Sequence, residues 1–147
     1  MLVIQKVIII VIEFNYETDY KLSNEDELTN CIVSCIEKDD FKVGEINYIF
    51  CDDAYLHKLN VEFLQQDTYT DIISFDNTMG KRISGDIFIS IDRVKENSTV
   101  FTSSFEDELH RVMIHGVLHY MGYKDKTTEE KEMMRTKEDQ CLLMLNN

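Results

Sequence analysis

Apolar positions along the chain change their spacing several times, and each change marks an element. Residues 2–14 are dominated by β-branched side chains with little polar interruption, which predicts a strand buried on both faces. A polar connection leads to Ser23-Asn24-Glu25-Asp26, a helix-start signal with acids in the first turn. Leu28, Cys31, Ile32, Cys35 and Ile36 then recur at three- and four-residue spacing, predicting a helix that runs to Lys38. Gly44 reads as a turn, and from Glu45 to Cys51 the residues Ile46, Tyr48 and Phe50 alternate with polar ones, a second strand. Asp52 reads as the N-cap of a short helix through Asn60, with Tyr55, Leu56 and Leu59 inward, followed by polar loop over 65–68.

Asp71–Asp76 and Gly85–Ser90 are two further apolar runs separated by the turn segment Asn77–Arg82, so they are expected as an antiparallel pair. Asp92 is expected to cap a helix through about Val100, and Ser103 or Ser104 to open a longer one with Glu106, Asp107 and Glu108 in its first turn. Along that longer helix Leu109, Val112, Met113, Gly116 and Tyr120 share one side, which should face the sheet, and Arg111, His115 and His119 share another. Thr127-Thr128-Glu129-Glu130 is a capping box opening a last helix with Met133, Met134, Cys141, Leu142 and Leu145 on its apolar side. Four strands with interspersed helices predict an α+β fold, a single domain over 1–147 with a mixed four-stranded sheet and helices packed on it.

Composition narrows the function. The 147 residues suit one domain. With 28 acidic against 15 basic residues the net charge is −13, which opposes a simple nucleic-acid-binding module; an RNA substrate would need a local basic patch or a metal-bridged phosphate. The four cysteines, Cys31, Cys35, Cys51 and Cys141, are scattered and include no CxxC, and Cys31 and Cys35 share a helical face with no histidine near them, so all read as buried reduced thiols and point to the cytoplasm. The apolar run Val7–Ile12 is too short to span a bilayer and no cleavage site follows it, so neither a membrane partner nor a signal peptide is expected.

The chemistry concentrates at His115-Gly116-Val117-Leu118-His119-Tyr120-Met121-Gly122-Tyr123-Lys124-Asp125. An i,i+4 pair rises about 6 Å along the helix axis and leans the same way, so both imidazoles can converge on one ion at the roughly 2.0–2.1 Å of zinc–nitrogen bonds. Gly122 suits the left-handed position that ends a helix, and the reversed chain can bring Asp125 back over the helix end. His115, His119 and Asp125 would then be three protein ligands with one position open to water, the catalytic rather than the structural arrangement. Gly116 stands where HExxH peptidases carry their glutamate, which disfavours that chemistry.

These residues resemble the YbeY family of bacterial rRNA maturation factors, whose motif H-G-x-L-H-x-x-G-Y-D-H is matched by His115, Gly116, Leu118, His119, Gly122 and Tyr123. Leu59-Asn60, the stretch Asp67–Phe75 against the family's T-D-V-L-S-F, and Gly85-Asp86-Ile87 extend the resemblance over about residues 45–125. The resemblance implies a metal-dependent endoribonuclease that holds zinc, associates with the ribosome or small-subunit assembly proteins, and matures the 3′ end of small-subunit ribosomal RNA. Two departures stand out. Asp125, preceded by Lys124, replaces the third histidine of the motif, and Leu64 occupies the place of an arginine that follows the family's Leu-Asn pair.

The mechanism expected is attack of water on a phosphodiester of single-stranded RNA at the metal site. Arg111 is the catalytic candidate, one turn before His115, where it could contact a phosphate or form a salt bridge with Asp107 or Glu108. Lys124, Lys126, Lys81 and Arg82 are the other candidate phosphate contacts, and Asp71 and Asp86 the candidate acid–base groups. Two rivals remain: a metal-dependent hydrolase of a small molecule or peptide, and a ribosome-assembly factor with a structural metal. An iron site is also compatible with the ligand types.

Overall fold

The computed structural model describes residues 12–145. The elements run β1 (Ile12–Tyr16), α1 (Glu25–Lys38), β2 (Lys42–Cys51), α2 (Asp53–Leu64), β3 (Ile72–Asp76), β4 (Arg82–Ser90), α3 (Ile91–Val100), α4 (Phe105–Tyr120) and α5 (Thr128–Leu145). The sheet order is β1-β2-β4-β3, with β1, β2 and β4 parallel and β3 antiparallel to β4. The expected α+β fold with a mixed four-stranded sheet is what forms. Residues 2–11 of the first expected strand lie outside the described residues.

Alternation along the strands sends side chains to two clusters. Ile46, Tyr48, Phe50, Ile83, Ile87 and Ile89 join residues of α1, α3, α4 and α5 in the main core, whereas Cys51, Ile73 and Phe88 pack with Leu56 and Leu59 of α2 on the other face. Helix α4 is the central piece of the main layer. Leu109, Val112, Met113 and Tyr120 are buried as their spacing predicted. A Cβ on Gly116 would stand 3.1 Å from Ile72 Cδ1 and from Ile87 Cδ1, so the absent side chain is what lets α4 lie close on β3 and β4. Tyr120 Oη lies 3.1 Å from the carbonyl oxygens of both Phe75 and Asp86, which share its one proton, and fixes the far end of the helix to the same strands.

Several boundaries differ from the sequence pattern. Gly44 is not a turn: β2 begins at Lys42 and shifts register between Val43 and Ile46, and a Cβ at Gly44 would meet the Ile83 carbonyl at 2.8 Å. Glycine thus serves close backbone approach at an irregularity inside the strand. Helix α2 continues past Asn60 to Leu64 and ends on Gln65 in the left-handed region. Asn60 is buried, its amide nitrogen donating to Thr68 O at 2.9 Å and Oγ1 at 3.1 Å, which ties down the following loop. The cap of α3 is Ser90 rather than Asp92: Ser90 Oγ accepts from the Arg93 amide at 3.1 Å, while Asp92 accepts from the Asp53 amide.

Cys31 and Cys51 are buried free thiols, as expected. Cys35 and Cys141 are buried as well, and their side chains meet where α1 packs on α5, with Cα atoms 5.8 Å apart. Among the described residues no helix is long and apolar enough to cross a membrane.

Candidate metal centre

Helix α4 carries the centre, and its two ends explain where the histidines sit. Ser104 caps it by accepting from the Asp107 amide at 3.1 Å, with Glu106, Asp107 and Glu108 complementing the dipole. The helix closes at Gly122, whose φ of +100° belongs to the region glycine favours. The Gly122 amide donates to His119 O and the Tyr123 amide to Leu118 O, each at 3.0 Å, closing the helix with a left-handed turn. Tyr123 Oη then donates to Asp39 Oδ2 at 2.5 Å, anchoring the returning loop to the residue that ends α1. Asp125 is thereby carried back to the histidines.

The three expected ligands meet at one point. His115 Nε2 and His119 Nε2 are 3.0 Å apart, and Asp125 Oδ2 lies 3.2 Å from the first and 3.1 Å from the second. Ligand atoms bound tetrahedrally at about 2.0–2.1 Å are separated by roughly 3.3 Å, so the spacing fits one face of a zinc-sized coordination sphere. The two rings stand nearly perpendicular, at 83°. Side-chain exposures of 23% for His115, 34% for His119 and 38% for Asp125 leave water access to the remaining face.

A second layer orients the first. His115 Nδ1 is 2.7 Å from Glu138 Oε2, so the proton of the neutral ring sits on Nδ1 and the Nε2 lone pair faces the ligand cluster. His119 Nε2 and the Asp125 carboxylate stand beside that lone pair, a group of ligand atoms that could hold a cation. Burial disfavours the charged form of His115, but the hydrogen bond and charge of Glu138, with the charges of Asp125 and Asp71, override it and hold the group above the usual histidine range. Glu138 is itself buried, and its Oε1 accepts from Arg111 Nη1 at 2.9 Å while Arg111 Nη2 donates to Asp139 Oδ1 at 2.7 Å.

Arg111 therefore belongs to this layer, with two of its guanidinium nitrogens bonded to α5 carboxylates rather than to Asp107 or Glu108. Asp71 lies in the cleft beside His115; burial raises its carboxyl above the usual range despite its backbone hydrogen bonds and the nearby His115 and Arg93. Asp86 accepts from Asn47 Nδ2 at 3.0 Å and lines a separate cleft with Arg82 and Met79. Lys81 is exposed, its ammonium over the Phe41 ring. Lys124 and Lys126 are exposed on the loop that carries Asp125. Leu64 ends α2, 45% exposed. Glu138 went unnoticed in the sequence, although it stands between Met134 and Cys141 on the buried stripe of α5, where a charged residue calls for a partner.

Fold and site together define a single-domain α+β protein built around a helix-borne centre of two histidines and one aspartate that could hold a metal ion. The comparisons with known proteins give that class a family. The family model described as Endoribonuclease YbeY matches residues 12–146, and the chain belongs to this family. An endoribonuclease YbeY of Flavobacterium johnsoniae is 55% identical over 92% of this chain and 98% of its own length. That of Christiangramia forsetii is 50% identical over 92% and 94%. A Thermotoga maritima protein of known solution structure superposes with a TM-score of 0.65 at 27% identity, covering 91% of this chain and 88% of its own.

Proposed function

We propose that this chain is a metal-dependent endoribonuclease that uses one zinc ion to cleave single-stranded RNA, acting in the cytoplasm on the 3′ end of precursor small-subunit ribosomal RNA with ribosome-assembly proteins as partners. The observation that carries the reading is the convergence of His115, His119 and Asp125 ligand atoms at 3.0–3.2 Å inside the family's own motif. The partial exposure of all three favours a catalytic centre over a purely structural one.

A bound divalent ion supplies Lewis acidity, polarising a phosphodiester oxygen and making water a stronger acid. The protein's own groups do the rest. His115 is held in the metal-binding tautomer by Glu138, and Arg111 fixes Glu138 in turn, so Arg111 serves the reaction by positioning. Asp71, its carboxyl raised by burial and placed in the same cleft, is the group to take and return a proton. The exposed Lys124 and Lys126 beside Asp125 are placed to meet phosphates flanking the centre, whereas Lys81 and Arg82 would contact a more distant part of the strand.

Metal content of the purified protein, measured alongside cleavage of a labelled single-stranded RNA, tests this. The double variant His115→Ala with His119→Ala should lose metal and activity together. RNA cleavage that persists in the metal-free double variant refutes the assignment, and a zinc stoichiometry unchanged by Asp125→Ala removes Asp125 from the ligand set.

A further inference from the structure

A cleft of about 190 Å³ opens at His115 and is walled by Asp71, Glu108, Arg111, Arg135 and Glu138. It shares Glu108, Arg111 and Arg135 with a larger cleft of about 460 Å³ that also includes Phe101, Ser103 and Leu142. Two arginines thus stand where the clefts meet, and their situations differ. Arg111 is bonded to Glu138 and Asp139. Arg135 is exposed on α5, and among the described residues no carboxylate lies within ion-pair distance of it. Its opposite-sign neighbours one turn ahead, Glu138 and Asp139, are the carboxylates Arg111 already holds. It is still near enough for its charge to act on Glu108.

Charge decides what such a group can do. Around the centre and along the two clefts the carboxylates of Asp71, Glu108, Asp125, Glu138, Asp139 and Asp107 outweigh Arg111 and a divalent ion, leaving a net negative charge when all are ionised. That excess repels a phosphodiester, and Arg135 reduces it where the two clefts meet. We propose that Arg135 is a phosphate-binding residue of this cleft, its guanidinium engaging non-bridging oxygens of the RNA strand whose neighbouring phosphodiester lies at the metal centre. This rests on the endoribonuclease reading and assigns the strand a path from His115 past Arg135 into the larger cleft. A planar guanidinium can bind two phosphate oxygens through a fixed pair of parallel N–H groups, a geometry the ammonium of a lysine does not offer.

The test uses the full chain as purified and a labelled single-stranded 2′-O-methyl oligonucleotide, with anisotropy read over a sodium chloride series. Cleavage of the corresponding RNA, zinc content and Tm are measured on the same samples. Arg135→Ala should weaken binding about tenfold and reduce the slope of log K against log salt by about 0.7, the share of one phosphate contact on a single strand. Arg135→Lys should keep the slope while losing part of the affinity, and Arg135→Glu should be weaker than Arg135→Ala. Zinc content and Tm should stay at wild-type values in all three. Affinity and salt slope equal to wild type in Arg135→Ala overturn the proposal, and so does an affinity loss that comes with loss of zinc. If the wild type cleaves RNA and only the Arg135 effect is missing, this inference alone fails; a wild type that neither binds nor cleaves RNA ends the endoribonuclease reading with it.

Discussion

Replacing Glu138 by glutamine is the most informative single change, because it hardly alters volume and leaves all three ligand residues in place. The native carboxylate accepts from two donors at once, His115 Nδ1 at 2.7 Å and Arg111 Nη1 at 2.9 Å. A glutamine amide has one acceptor oxygen and one donor nitrogen. If its oxygen stays with Arg111, its nitrogen faces His115 and drives the ring proton to Nε2, where it blocks the ion. If the amide turns over, two donors collide at Arg111 in a buried place. The first arrangement keeps both hydrogen bonds but puts the ring proton on the ligand atom, and the second loses one bond and leaves a buried donor unmet, at about 1–3 kcal/mol. Loss of such a second-layer partner lowers metal affinity about 10- to 100-fold, or roughly 1.4–2.7 kcal/mol. Because the ion stabilises the folded state by mass action, the Tm gain on adding saturating wild-type levels of zinc should shrink by roughly 3–10 °C. The assay is competition for zinc against a chromogenic chelator, with melts of loaded and stripped protein alongside. A zinc Kd within twofold of wild type would show that Glu138 does not set the state of His115, and the two-layer account would be wrong.

Two further predictions concern the scaffold. Gly116→Ala places a methyl group 3.1 Å from Ile72 Cδ1 and from Ile87 Cδ1, so the strands or the helix must give way; thermal melts should show a loss of about 1–3 kcal/mol, and an unchanged Tm would contradict the close packing of α4 on the sheet. Burial lifts the Glu108 carboxyl above its usual range, with Asp71 adding to the shift and Arg111 and Arg135 opposing it. A carboxyl whose folded pKa is raised contributes stability fully present below the unfolded pKa and lost as pH rises through the folded one. Glu108→Gln should therefore raise Tm at neutral pH and change little in acid, and a variant less stable at neutral pH would reverse that sign.

Much of the fold could be read from the chain because local pattern and final burial agree. Leu28, Cys31, Ile32, Cys35 and Ile36 are all buried on α1, and the Thr127–Glu130 box forms with reciprocal bonds of 2.9 and 3.1 Å. The errors fall where one residue type has two structural uses. Glycine marks turns and also close approach, and only the neighbouring β4 decides that Gly44 belongs inside a strand. Ser90 and Asp92 are both good caps, and Asp92 loses because the Asp53 amide takes its carboxylate instead.

The candidate metal centre divides along the same line. His115, His119 and Asp125 lie within one helix and the turn that ends it, so backbone geometry alone constrains their meeting and the sequence suffices to name them. Glu138, Arg135 and Asp39 reach the site or its loop from other helices, through the packing of α5 and α1 against α4, and no spacing rule links them to the motif. Arg111 shows the consequence. One turn before His115 it reads either as a phosphate contact or as the partner of Asp107 or Glu108, yet α5 brings Glu138 and Asp139 against it. The same contact occupies the two acids one turn beyond Arg135, so an ion pair invisible in the primary structure changes which arginine is available to an anionic strand.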